Sequence, residues 1–239
     1  MSNQPHCRLL RLLFIVGILI TGADSSFGDE IAIWNFNDSD LVVDHGAGSL
    51  SSNFLAANIQ FAAGTTNNSR LGDPAGQALS LQGGTTTANN GRNITINLST
   101  VGFQNITFSF ATQGTATGFN NNQFQYSVDG TNFINFGSPY MPAAAFGAVP
   151  IVFTLTSITG LDNNPNAAFR IIFNGATAST GNNRLDNIVI EGASSTIPEP
   201  ATAVLLLSGL TGLFGLKRKR RRDANSANLR LDENERQSS

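Results

Sequence analysis

The 239-residue chain has a formal charge of −2, one cysteine and two histidines, and its charges are sharply segregated. Between Asp29 and Thr196 ten acidic residues stand against four arginines, a balance of −6, and no lysine occurs before Lys217. A basic groove for nucleic acid is thereby excluded from this region.

At the N-terminus, Arg8 and Arg11 precede an apolar run from Leu12 to Ile20, and small residues follow. This order of charged, apolar and small residues predicts a secretory signal peptide over residues 1–28. Cleavage fits after Ala23 or after Gly28, and Gly28 is the preferred site. The apolar run is too short for the ~20 residues of a membrane span. Cys7 lies ahead of that run, so the exported chain has no cysteine and its stability must come from a core of ordinary size.

From Asp29 onward the pattern has period two, the repeat of a strand with one buried face. IAIWNF opens the series, and AANIQFA and ALSLQG follow. In NITINL, Ile94, Ile96 and Leu98 point one way and Asn93, Thr95 and Asn97 the other. NITFSFA alternates Ile106, Phe108 and Phe110 with Thr107 and Ser109, and QFQYSV repeats the scheme with Phe124, Tyr126 and Val128. NFINFG, VPIVFTL, AFRIIF and RLDNIVIEG complete about ten strands separated by Gly-, Asn- and Ser-rich segments. One apolar face per strand predicts antiparallel sheets packed face to face, because a parallel sheet buried on both sides reads as unbroken apolar runs. The expected fold of residues 29–196 is an all-β, antiparallel, jelly-roll-like sandwich. Asp129-Gly130 in YSVDGTNF predicts a hairpin, and Pro139 and Pro142 predict an exposed loop from Ser138 to Ala148.

Few residues suggest catalysis. One histidine, His45, remains after the signal peptide, and no G-x-S-x-G nucleophile elbow occurs. A serine triad and a zinc site both lack partners, and nothing in the aspartate spacing selects a carboxylate pair for glycoside hydrolysis. Calcium takes the oxygen ligands that Asp- and Asn-rich loops supply. Asp38 and Asp40, just after the first strand, would meet Asp186 in the last one if those strands pair. The competing reading has Asp38 and Asp40 solvating a turn while Asp186 bonds nearby backbone. For sugar binding the candidates are Tyr140 and Phe146 on the long loop, Trp34, and the Asn120 to Asn122 run. Trp34 has apolar neighbours and is expected in the core, which leaves Tyr140 as the expected exposed ligand contact.

The C-terminal region begins with Ile197-Pro198-Glu199-Pro200. Ala201 to Leu216 then carries no charge over 16 residues, about 24 Å as a helix. Lys217, Arg218, Lys219, Arg220, Arg221 and Arg222 follow directly. The run predicts a single membrane-spanning helix whose basic end stays cytoplasmic. Residues 223–239 are polar and expected to be disordered.

Motif, helix and basic cluster in this order resemble the PEP-CTERM sorting signal of Gram-negative bacteria. The resemblance covers residues 197–222 and implies that Pro198, Glu199 and Pro200 are recognised by an exosortase, a membrane-embedded cysteine transpeptidase. It also implies export to the cell envelope, cell surface or extracellular matrix through a transient inner-membrane intermediate, and an association with exopolysaccharide and biofilm. The WNF, YSVDG and LDNIVIEG segments further resemble lectin-like domains that accompany such signals. The expected function is that of a non-enzymatic structural or adhesive surface protein. The alternative is a carbohydrate-binding module, calcium-dependent or not, with extracellular polysaccharide as partner.

Overall fold

The computed structural model describes residues 28–195, which form an all-β, jelly-roll-like sandwich of two antiparallel sheets. The expected signal peptide, sorting helix, basic cluster and polar tail lie outside the described residues. In chain order the strands are β1 (Asp29–Trp34), β2 (His45–Gly46), β3 (Ser49–Ser52), β4 (Ile59–Ala63), β5 (Gln77–Gln82) and β6 (Arg92–Leu98). They continue with β7 (Phe103–Gly114), β8 (Gln123–Ser127), β9 (Ile134–Asn135), β10 (Ile151–Thr154), β11 (Ala167–Phe173) and β12 (Asn182–Ser194).

The larger sheet runs β10-β7-β12-β1-β2, with β5 and then β4 attached beside β1. β12 organises it. One edge of β12 pairs with β7 along most of its length, while the other is shared, Asn182 to Leu185 with β5 and Ile188 to Gly192 with β1. Between those two partners the register shifts at Asp186 and Asn187, and Asn187 adopts a left-handed φ of 47°. An asparagine tolerates that conformation where most side chains would clash. First and last strands therefore pair, as the calcium argument required.

The smaller sheet runs β3-β6-β11-β8-β9. Its apolar face, with Ile94, Ile96, Phe124, Phe169, Ile171 and Phe173, is buried against the larger sheet. Aromatic rings join the two layers. Phe108 of β7 lies 4.9 Å from Phe124 and 5.4 Å from Phe169, and Phe124 stacks on Phe153 of β10 at 4.1 Å and 7°. Each such ring contributes about 1.5–3 kcal/mol by leaving water. Trp34 is fully buried, as expected, and its indole nitrogen donates to the carbonyl of Leu41 at 3.2 Å.

One expectation about the connections holds and one is corrected. The Asp129-Gly130 hairpin joins β8 to β9 as predicted, and Gly130 has a φ of 76°. The connection spans residues 128–133, and the Asp129 carboxylate gathers its amides around itself. Tyr140 was expected at the surface and is turned inward. Its backbone forms an isolated bridge with Asn122, with bonds of 3.0 and 2.9 Å, which lays this part of the proline-flanked loop on the sandwich. The ring then packs 5.9 Å from Phe110 and 6.2 Å from Phe153, with the hydroxyl buried, and burial pushes the phenol well above its ordinary range.

Candidate functional site: the polar face of the five-stranded sheet

Alternation along β6, β8 and β11 sends apolar residues inward and leaves the opposite face to polar ones. Strand pairing aligns them. Ser51 of β3 sits opposite Thr95, Thr95 opposite Arg170, Arg170 opposite Gln125, and Gln125 opposite Asn135. One polar row thus crosses all five strands, about 19 Å at the usual strand spacing. Asn97 and Asn93 extend the polar face on either side of it, about 7 Å away along the strands.

Hydrogen bonds hold the row in place. The Arg170 Nε–H donates to Thr95 Oγ1 at 3.1 Å, Thr95 Oγ1 donates to Asn93 Oδ1 at 3.1 Å, and Gln125 Nε2 donates to Asn135 Oδ1 at 2.8 Å. The Arg170 guanidinium lies 3.5 Å above the ring of Phe133, a cation–π contact. Gln125 Oε1 is screened from solvent and accepts no hydrogen bond among the described residues, an unmet acceptor beside the arginine.

The loop carrying Phe133 is organised by Asp129. Its carboxylate accepts from the amides of Thr131 at 2.9 Å and Asn132 at 2.7 Å, from Asn132 Nδ2 at 2.6 Å, and from Ser127 Oγ at 2.9 Å. The Asn132 side chain is the largest of the influences that hold the carboxyl well below the usual range. Beside this loop a depression of about 370 Å³ is lined by Asn97, Ser99, Asp129, Thr131, Pro165 and Asn166. Chemically, the face offers amides, hydroxyls, one guanidinium and one aromatic ring on a rigid sheet.

Larger depressions, of about 580 and 460 Å³, lie on the other sheet around Arg70 and Glu191. There the main charges satisfy each other, since Arg70 Nη2 meets Glu191 Oε1 at 2.9 Å and Arg70 Nε lies 3.9 Å from Glu30. That groove has less to offer a ligand.

The structure does not bring Asp38 and Asp40 to Asp186. Asp40 Oδ1 accepts the amide of Val42 at 2.7 Å, and the charges of Asp38 and Asp40 act on Asp44, whose carboxyl is raised first by burial and further by them. Asp186 is fully buried. Its oxygens accept the amides of Thr65 at 2.6 Å and Asn187 at 2.8 Å, and burial pushes its carboxyl up to about 7 against those bonds. The carbonyl oxygens of Ala75 and Gln77 share its neighbourhood, since a Cβ added at Gly64 would lie within 3 Å of all three groups. Among the described residues no three His, Cys, Asp or Glu side chains are grouped to hold a metal. His45 Nε2 lies 3.9 Å from Asp73, Phe146 is half-buried, and of the Asn120 to Asn122 run Asn122 is buried.

The polar row is what sequence reasoning missed. Only its alternation was visible, through Asn93, Thr95 and Asn97 on one face of NITINL and Arg170 on one face of AFRIIF.

None of the curated proteins matches this chain in sequence. Among solved structures the chain is similar to the module TmCBM61 in complex with beta-1,4-galactotriose, with 8% identity and a TM-score of 0.42 over 66% of this chain and 94% of the other. It is similar also to the CBM22-1 xylan-binding domain of a Paenibacillus barcinonensis protein, with 10% identity and a TM-score of 0.43 over 72% and 100%. A Caldicellulosiruptor saccharolyticus CBM27-1 in complex with mannohexaose shares 14% identity at a TM-score of 0.37, over 68% and 97%. Residues 196–222 match the PEP-CTERM protein-sorting motif. The chain thus carries an all-β sandwich over residues 28–195 and, directly after it, a segment that matches the PEP-CTERM protein-sorting motif.

Proposed function

We propose that this protein is exported, processed by an exosortase at Pro198-Glu199-Pro200, and displayed on the cell envelope or in the extracellular matrix, where its sandwich acts as a non-enzymatic adhesive module for extracellular polysaccharide. Export and sorting rest on the PEP-CTERM motif at residues 196–222. On this reading the basic residues 217–222 hold the C-terminal helix in the inner membrane until it is cut.

Polysaccharide binding rests on the row from Ser51 to Asn135. Amides and hydroxyls held by the sheet make directional bonds to sugar hydroxyls at little ordering cost. Fold likeness alone would not support the assignment, since sandwiches of this shape serve many purposes. A glycan array probed with the purified protein and with Gln125→Ala tests the reading. A tenfold or greater loss of binding in the variant is expected, and an array on which the wild-type protein retains no glycan would refute it.

A further inference from the structure

The strands of the five-stranded sheet, SLSS, RNITINL, QFQYS, IN and AAFRIIF, contain no aspartate or glutamate. The acidic residues of the sandwich lie instead on β1 and β12 of the other sheet and on connecting loops. A domain of net negative charge thus has one carboxylate-free sheet, and that sheet carries Arg92 and Arg170. Arg92 is occupied at the strand's end, where it donates to the carbonyls of Asn53 and Ala88. Arg170 lies in the middle of the central strand.

Arg170 uses only part of its bonding capacity. Stacking on Phe133 occupies one face of the guanidinium, and Nε–H donates to Thr95. Its two terminal amino groups make no hydrogen bond and no ion pair among the described residues. They form the planar fork that matches the two oxygens of a carboxylate. Burial lowers the basicity of this guanidinium, and among the described residues no carboxylate pairs with it to compensate for the lost hydration. The ring below and the threonine beside it fix the plane before any ligand arrives, so little side-chain entropy remains to be lost on binding.

The geometry points to a carboxylate-bearing polysaccharide as the ligand of this face: the Arg170 fork takes a uronate carboxylate, while Asn93, Asn97, Gln125 and Asn135 bond the sugar hydroxyls around it. This inference rests on the polysaccharide reading above and adds the acidic class of the polymer. Asp129, the nearest acid in sequence to Phe133, does not occupy the fork, since its oxygens are bound by Ser127, Thr131 and Asn132.

Polygalacturonate and alginate, each paired with its carboxyl-reduced neutral form, test the inference by affinity electrophoresis and titration calorimetry on the purified full-length protein. Wild-type protein is expected to bind at least one acidic polymer tenfold or more tightly than its reduced partner, with a preference that weakens as salt is added. Arg170→Gln abolishes the preference while leaving residual binding to the reduced polymer. Arg170→Lys restores only part of it, because an ammonium keeps the charge and loses the fork and the stack. Phe133→Leu, which leaves the charge in place, lowers the preference without abolishing it, and circular dichroism verifies that each variant is folded. Equal binding of acidic and reduced polymers, or an undiminished preference in Arg170→Gln, overturns the inference and leaves the polysaccharide reading standing. Binding to none of the four polymers overturns the inference as well, and a blank glycan array in addition overturns the polysaccharide reading.

Discussion

The carboxylate of Asp186 accepts the backbone amide of Thr65 at 2.6 Å, across 121 positions of sequence, inside a fully buried site. Burial raises the carboxyl to about 7, so the fold favours the protonated acid more than the unfolded chain does. Stability is then highest below the unfolded value near 4 and declines as pH rises to about 7, by on the order of 4 kcal/mol in total. Denaturant midpoints in EDTA at pH 5 and pH 8 measure the decline, and Asp186→Asn should flatten it. A wild-type midpoint equal at both pH values would contradict this account.

Asp129 has the opposite sign. Its carboxyl is held low by Asn132 first, and by Thr131 and Ser127, so its contribution is present above the unfolded value and disappears only as pH falls below the usual carboxylate range. Replacement by alanine releases the loop that carries Phe133. The ring-current shift of the Arg170 side-chain resonances, followed by NMR, should move toward its random-coil position in Asp129→Ala, while the melting temperature changes little. Unchanged Arg170 shifts would mean that the stack does not depend on the loop.

Phe108 contacts Phe110, Phe124 and Phe169 within 6 Å and is almost fully buried. Truncation to alanine removes these contacts and leaves a void between the sheets. The expected cost is about 3–5 kcal/mol in urea-induced unfolding. A cost below about 1 kcal/mol would mean that the layers close over the gap.

The proposed processing would leave a chemical signature at both ends. Intact-mass and peptide analysis of exported protein should show a chain that begins near Asp29 and ends close to Pro198-Glu199-Pro200. Recovery of a surface form that retains Lys217 to Ser239 would instead indicate a permanent anchor.

Much of the sandwich was legible because alternation is a local signal. NITINL and AFRIIF announced β6 and β11, and their outward residues are those that face solvent. β3 escaped, since SLSS has a single apolar residue and offers no period. The row of polar side chains is not local at all. Thr95 and Arg170 are 75 positions apart, and only the register of β6 against β11 places them side by side. Tyr140 misled for a related reason, because prolines announce a loop but give no hint that Asn122 will pin it inward. With Asp186 the first-to-last pairing was readable, whereas the β4–β5 connection that captures the carboxylate through Thr65 was not.

The order of pairing in the larger sheet bears on when the domain becomes a folded object. β12 is the last strand in the chain, yet β7 lies along one of its edges and β1 and β5 share the other. A chain emerging from its N-terminus presents β1 more than 150 positions before the stretch of β12 that pairs with it, and until β12 arrives β1, β5 and β7 have no common neighbour to assemble on. Late pairing of this kind makes folding slow and non-local. On the export route proposed above, it would also keep the polypeptide loose and threadable until almost the whole domain had crossed, and delay closure of the sandwich until the residues just ahead of the sorting motif were through.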